Sequence, residues 1–344
     1  MFRRCPEWAK AAGYAAALWS AGYAVLGLTW WLGWDTYPWG AAAEDPLDPG
    51  DDRDFFVMLQ PGDAAPPVIV FGLAGMLAGL AVARGFTRFR WPVVAFGGLA
   101  ATALAVILPD GRALTVLGYL PMVIGGLPFG WPPADWDSVL TWSLIYQFLL
   151  LAGGLLWAAA TLGHARRARG VCVHCGGEGR WSRERLLRWG RVFAFAGALI
   201  PLGYAVTRWA WGLGIPLGMA PQYLAEMHRS GLVWAGVGLA TFSAVGAVLT
   251  LGLVQRWGEV FPRWIPVLAG RAVPVWLAVA PATLVSVVLF NTGWQILQGD
   301  LVTMDLSNPM TWWPLWALAL AGATFTYWLR RRPACRHCAR PVLV

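Results

Sequence analysis

Charge is scarce in this chain. Only 13% of its 344 residues are Asp, Glu, Lys or Arg, about half the share of a soluble domain, which excludes a single water-soluble globule. Lysine is nearly missing, with Lys10 against 25 arginines. That skew, together with abundant Ala, Gly and Trp, is what GC-rich codon usage produces and carries no functional message. Four histidines provide poorly for a paired-histidine haem site. Also missing are a lysine-bearing phosphate loop, a G-x-S-x-G elbow, an H-E-x-x-H helix and a G-x-G-x-x-G turn behind a strand. The net charge of +8 is therefore read by where the arginines lie, not as a sign of nucleic-acid binding.

What the chain has in quantity is apolar length. Apolar residues make up 58% and mean hydropathy is +0.54. Runs near 20 residues recur, the length that crosses a hydrocarbon core of about 30 Å. Eight spans are predicted, over 11–33, 66–83, 92–109, 139–163, 192–212, 231–254, 272–291 and 311–329. The fold class is all-α, a polytopic transmembrane helix bundle. The apolar but broken stretch 113–127, with Pro121 and Gly125-Gly126, reads as interfacial or re-entrant rather than as a ninth span.

Lys and Arg concentrate in cytoplasmic loops. With a cytoplasmic N-terminus, all basic residues except Arg53, Arg112, Arg208 and Arg229 fall inside, while acids from Asp35 to Asp63 crowd the first outer loop. Eight spans return the C-terminus to the cytoplasm, where Arg330–Arg332 stop the last helix. The expected site is the plasma membrane. An apolar stretch of about 23 residues is too long for the core of a cleavable leader, so 11–33 is expected to be a span despite Ala41-Ala42-Ala43 after it.

The two halves echo each other. Gly22–Gly33 aligns with Gly203–Gly214 at a constant offset of 181, with seven of twelve positions identical. His164–Cys175 resembles Leu329–Cys338, each an Arg-rich stop followed by Cys-x-His-Cys. Four spans per copy is an even number, so the copies are expected as parallel repeats related by an axis along the membrane normal. The expected domains are 1–170 (first repeat), 171–191 (knuckle and Arg-rich linker), 192–332 (second repeat) and 333–344 (second knuckle).

The cysteines carry the most specific chemistry. Cys172, Cys175, Cys335 and Cys338 form two C-x-x-C pairs, both on the expected cytoplasmic face, where structural disulfides are rare. Each hairpin offers one metal two thiolates, and two hairpins make a tetrahedral zinc site. A span of 159 residues between the pairs rules out a small autonomous finger, but two parallel repeats meeting at their axis bring equivalent positions together. A structural zinc with four cysteine ligands is the leading reading. A thiol–disulfide relay and inert thiols are the alternatives, and His174 or His337 could replace a sulfur. Cys5 is assigned no role.

Elsewhere the signals are thinner. Intramembrane charge defaults to a functional hypothesis, and Arg208, in the outer third of the fifth span, is the best case against a plain snorkelling arginine. Asp110, Arg112, Glu226, His228 and Asn291 could join it around an outer cleft. Trp30, Trp31, Trp34, Trp91, Trp136, Trp312 and Trp313 lie near span ends, where aromatic belts form. The acidic segment 44–54 offers oxygen ligands for calcium but lacks EF-hand spacing. The stretch 180–191 alternates Arg with apolar residues and suits a helix at the inner leaflet, where anionic headgroups would be met.

The runs Tyr204–Pro216 and Leu251–Pro266 resemble integral membrane proteins of actinobacteria to which no activity is attached. The resemblance implies a plasma-membrane setting and brings no catalytic residues. For function, a transporter-like protein with a cytoplasmic zinc clasp ranks first and a membrane scaffold or sensor binding a cytoplasmic partner second. A lipid- or isoprenoid-acting enzyme is third, since no acid–base pair lies at mid-depth.

Overall fold

A computed structural model describes residues 7–38, 60–88, 90–109, 111–126, 128, 141–176, 182–303, 309–332 and 335. Cys5, the acidic segment 44–54, Asp110, Trp136, His337 and Cys338 lie outside these residues, as does the side chain of Arg112. The described chain is all-helical, without strands. Its helices are α1 (Glu7–Trp31), α2 (Pro61–Arg84), α3 (Arg90–Thr102, continuing as a π turn over Ala103–Ile107), α4 (Arg112–Gly126) and α5 (Trp142–Ala168). After them come α6 (Arg183–Gly212), α7 (Pro221–Ser230), α8 (Leu232–Gly252), α9 (Val275–Thr303) and α10 (Trp313–Arg331).

Seven helices are long and apolar enough to cross a membrane: α1, α2, α3 with its π turn, α5, α6, α8 and α9 up to Gln298. They fall on the first seven expected spans. The eighth, α10, is a 19-residue helix that is not among the seven. It buries Trp313, Trp316, Thr324, Thr326 and Tyr327 and exposes a stripe of Leu315, Leu318 and Phe325, so these polar groups are confined to its protein-facing side. The 180–191 stretch differs from expectation in form. Arg183 to Arg191 are the opening turns of α6, not a separate interfacial helix. At 30 residues and 1.5 Å per residue, α6 runs about 45 Å, so its arginine end extends beyond a 30 Å core. Helix α4, 15 residues long, is too short to cross.

The helix ends follow local rules. Thr141 and Ser182 cap α5 and α6 by accepting the Leu144 and Arg185 backbone N–H, each at 3.3 Å. Pro61 and Pro221 open α2 and α7, and left-handed Gly85 and Gly231 close them. Basic residues end α2, α5 and α10, where cations complement the helix dipole.

The chain divides into two compact units. The first comprises Met1–Ala113, Pro133–Glu178 and Ala334–Arg340; the second comprises Leu114–Pro132, Gly179–Pro333 and Pro341–Val344.

In the first unit, α1 packs along α2 and α5, and α3 packs along α5. The α1–α2 seam is built from small residues. Gly13 meets Ala83, Ala17 meets Gly79, Ser20 meets Gly75 and Ala24 meets Gly72, so closely that a Cβ on any of these four glycines would stand within 2.7 Å of the facing helix. Lipid tails are as apolar as side chains, so bilayer helices associate by close backbone approach, and small residues permit it. Against the seam lies an aromatic core. Trp157, fully buried, donates its indole N–H to Ser20 Oγ at 3.2 Å, and the Tyr23 and Tyr146 hydroxyls bond each other.

In the second unit, α6 packs on α8 and α10, and α9 on α10. The loop joining α8 to α9 is tied to the last turns of α10. Tyr327 donates to Gly258 O at 2.8 Å and Arg331 to Val273 O at 2.8 Å. Arg330 pairs with Glu259 at 3.1 Å and also donates to Leu253 O.

Candidate metal centre

Helix α5 runs out through Arg166 and Arg167 and turns over left-handed Gly170. A second turn then folds Cys172 through Gly176 back on itself, with the Gly176 N–H donating to Cys172 O at 2.7 Å. Gly176 has φ +79°, a left-handed conformation that costs other L-residues about 1–2 kcal/mol. Two neighbours brace the turn. Arg166 donates one Nη to Val173 O at 3.0 Å and to His174 O at 3.4 Å. Trp8 of α1 meets the His174 ring edge-on, centroids 6.3 Å apart.

Cys175 and Cys335 are buried and Cys172 half-buried. Their three sulfurs all lie within 4.8 Å of one another, close enough to hold a metal ion. Cys172 Sγ and Cys335 Sγ are 3.8 Å apart, far beyond an S–S bond of about 2.05 Å. With Zn–S near 2.3 Å, the edge of a thiolate tetrahedron is about 3.8 Å. Spacing and donor set therefore fit a soft divalent ion. A closed fourth position makes such a site structural, whereas an open one leaves room for water. Cys335 belongs to the first unit although the helix before it belongs to the second, so the cluster unites sulfurs far apart along the chain.

The other candidate residues that the structure describes sit on α6 (Arg208), α7 (Glu226 and His228) and α9 (Asn291). Arg208 lies over the rings of Trp211 and Tyr204, at 4.0 and 4.9 Å, with its Nε buried and unbonded. Glu226 pairs with its exposed neighbour Arg229 at 3.0 Å. His228 Nε2 hydrogen-bonds Trp211 O at 2.8 Å. Asn291 is buried within α9. Of the tryptophans at span ends, Trp31, Trp34, Trp91 and Trp312 are exposed, but Trp30 and Trp313 are core residues. Sequence reasoning missed the bracing of the knuckle, because nothing in the order of residues says that Trp8 reaches His174. His164 is fully buried, with neither ring nitrogen hydrogen-bonded.

No family model, curated protein or solved structure matches the chain. Fold and site together define a class, since the seven apolar helices fit a multi-pass membrane protein and its cysteine cluster could bind metal.

Proposed function

We propose that this is a transporter-like multi-pass protein of the plasma membrane, stabilised by a structural zinc bound by Cys172, Cys175, Cys335 and Cys338. The observation that carries the zinc reading is the 3.8 Å approach of Cys172 and Cys335 Sγ across 163 residues. The close pair belongs to different hairpins, as a tetrahedron shared between them requires. Purified protein should contain about one zinc per chain, and Cys172→Ser or Cys335→Ser should lose it. A stably folded, metal-free wild type would overturn the site.

Parity supports eight spans. Cys172 and Cys335 lie on one side of the membrane if their sulfurs meet, so an even number of crossings must separate them. Helices α6, α8 and α9 make three, and α10 supplies the fourth. The internal repeat draws support from matching detail within each unit. Trp30 donates its indole N–H to Thr36 O, and Trp211, at the same offset of 181, donates to Leu217 O. Gly33 and Gly214 have φ of +79° and +80°, and the backbone bonds Trp34 to Thr29 and Ile215 to Ala210 also correspond. Packing of α1 on α2, α1 on α5 and α3 on α5 is repeated by α6 on α8, α6 on α10 and α9 on α10.

Support for transport comes from polar groups held within spans, which are expensive there and tend to mark solute or ion paths. Arg208 on α6 and buried Asn291 on α9 are two such groups. Arg208 favours an anionic solute. In proteoliposomes, uptake of an anion should fall at least tenfold in Arg208→Ala at unchanged protein content. Absence of flux for every anion tried would leave the scaffold reading.

A further inference from the structure

In the second unit, Arg330 ends α10 by donating to Leu253 O after α8 and is neutralised by Glu259 at 3.1 Å. Arg167 takes the equivalent place in the first unit. It ends α5 and donates to Val82 O in the last turn of α2 at 2.8 Å. Among the described residues no carboxylate meets it, and its Nε and second Nη are buried without hydrogen bonds. His164, in the place of Tyr327, is likewise buried and unbonded. The sequence holds no acid in 64–109 or 138–177, while Arg84, Arg88, Arg90, Arg166, Arg167 and Arg169 all fall there; the neighbouring helix α1 brings Glu7, exposed at its first turn.

Beside this end of α5 opens a cavity of about 410 Å³, lined by Thr87, Arg88, Arg90, Trp91, Pro92 and Ala168. The wall residue Ala168 directly follows Arg167. Among the described residues, Arg88 and Arg90 form no ion pair. The volume lies in the range of small-molecule pockets, far larger than one phosphate ion needs. Trp91 is 67% and Phe86 59% exposed, as expected of side chains that meet the membrane interface.

We propose that this cavity is a binding site for the phosphate headgroup of an anionic phospholipid. Arg88 and Arg90 hold the phosphate, Thr87 offers a hydroxyl donor, and Trp91 and Phe86 sit at headgroup depth. On the orientation given by the arginines, the lipid belongs to the inner leaflet.

The test is native mass spectrometry of the full-length, zinc-replete protein in neutral detergent, titrated with phosphatidylglycerol or phosphatidylcholine. Phosphatidylglycerol should bind selectively, and Arg88→Gln with Arg90→Gln should weaken it about thirtyfold, since each surface cation contributes about fivefold. The pair Arg263→Gln with Arg271→Gln, exposed at a different turn, should bind like wild type. Thermal stability in phosphatidylcholine should be unchanged by the first pair, and the stabilisation by phosphatidylglycerol should be lost. Equal binding of the two lipids, or equal loss in both pairs, overturns the site. Displacement of the lipid by millimolar inorganic phosphate overturns the lipid assignment in favour of a soluble phosphate.

Discussion

Single residues set how closely backbones approach. Gly79 is held against Ala17, where a new Cβ would stand 2.7 Å from the Ala17 nitrogen; Gly98 of α3 has open space around it. Gly79→Ala should therefore destabilise the protein by about 1–3 kcal/mol through overpacking. Gly98→Ala should be neutral or gain up to about 1 kcal/mol from helix propensity. Thermal unfolding in detergent, followed by size-exclusion fluorescence, separates the two. At the knuckle, Gly176→Ala forces a Cβ into left-handed backbone facing Arg166 at 3.2 Å. On the proposed zinc reading, faster metal release to a chelator is the expected result, with the global melting temperature of the metal-loaded form little changed.

Whole elements depend on how their ends are neutralised. Arg330 has only 4% of its side chain exposed, against 31% for Glu259. Removing one partner of a buried pair leaves a charge unpaid. Glu259→Gln should cost about 3 kcal/mol, and Glu259→Gln with Arg330→Met should recover part of it, read as unfolding midpoints. The loop from Leu253 to Val273 should become more accessible to protease in the single variant, because Arg330 and Tyr327 fasten it to α10.

For the whole molecule the decisive question is the side of the membrane on which the chain ends. A green fluorescent protein fused after Val344 should fluoresce in a bacterial host, and an alkaline phosphatase fusion there should be inactive. The reverse pattern, if a fusion at the N-terminus still reports the cytoplasm, would mean that α10 does not cross and that Cys335 cannot join Cys172. On the proposed zinc reading, truncation after Arg332 should abolish metal content while leaving the membrane-inserted helices in place, measured by metal analysis and alkali extraction.

Apolar run length alone placed seven of the helices, because a bilayer demands about 20 uninterrupted apolar residues wherever the chain lies. The spacing of Cys172 and Cys175, with Gly176 behind them, likewise pointed to a turn that could bind metal, since that chemistry is local. Helix α10 stands outside those seven, because its buried Thr324, Thr326 and Tyr327 lower its hydropathy. Tertiary structure alone decided that Cys335 lies 3.8 Å from Cys172, that Trp8 and Arg166 brace the turn, and that Arg167 lacks the acid given to Arg330. Each of these joins residues distant in sequence, and periodicity records which face a residue occupies but not which partner waits there.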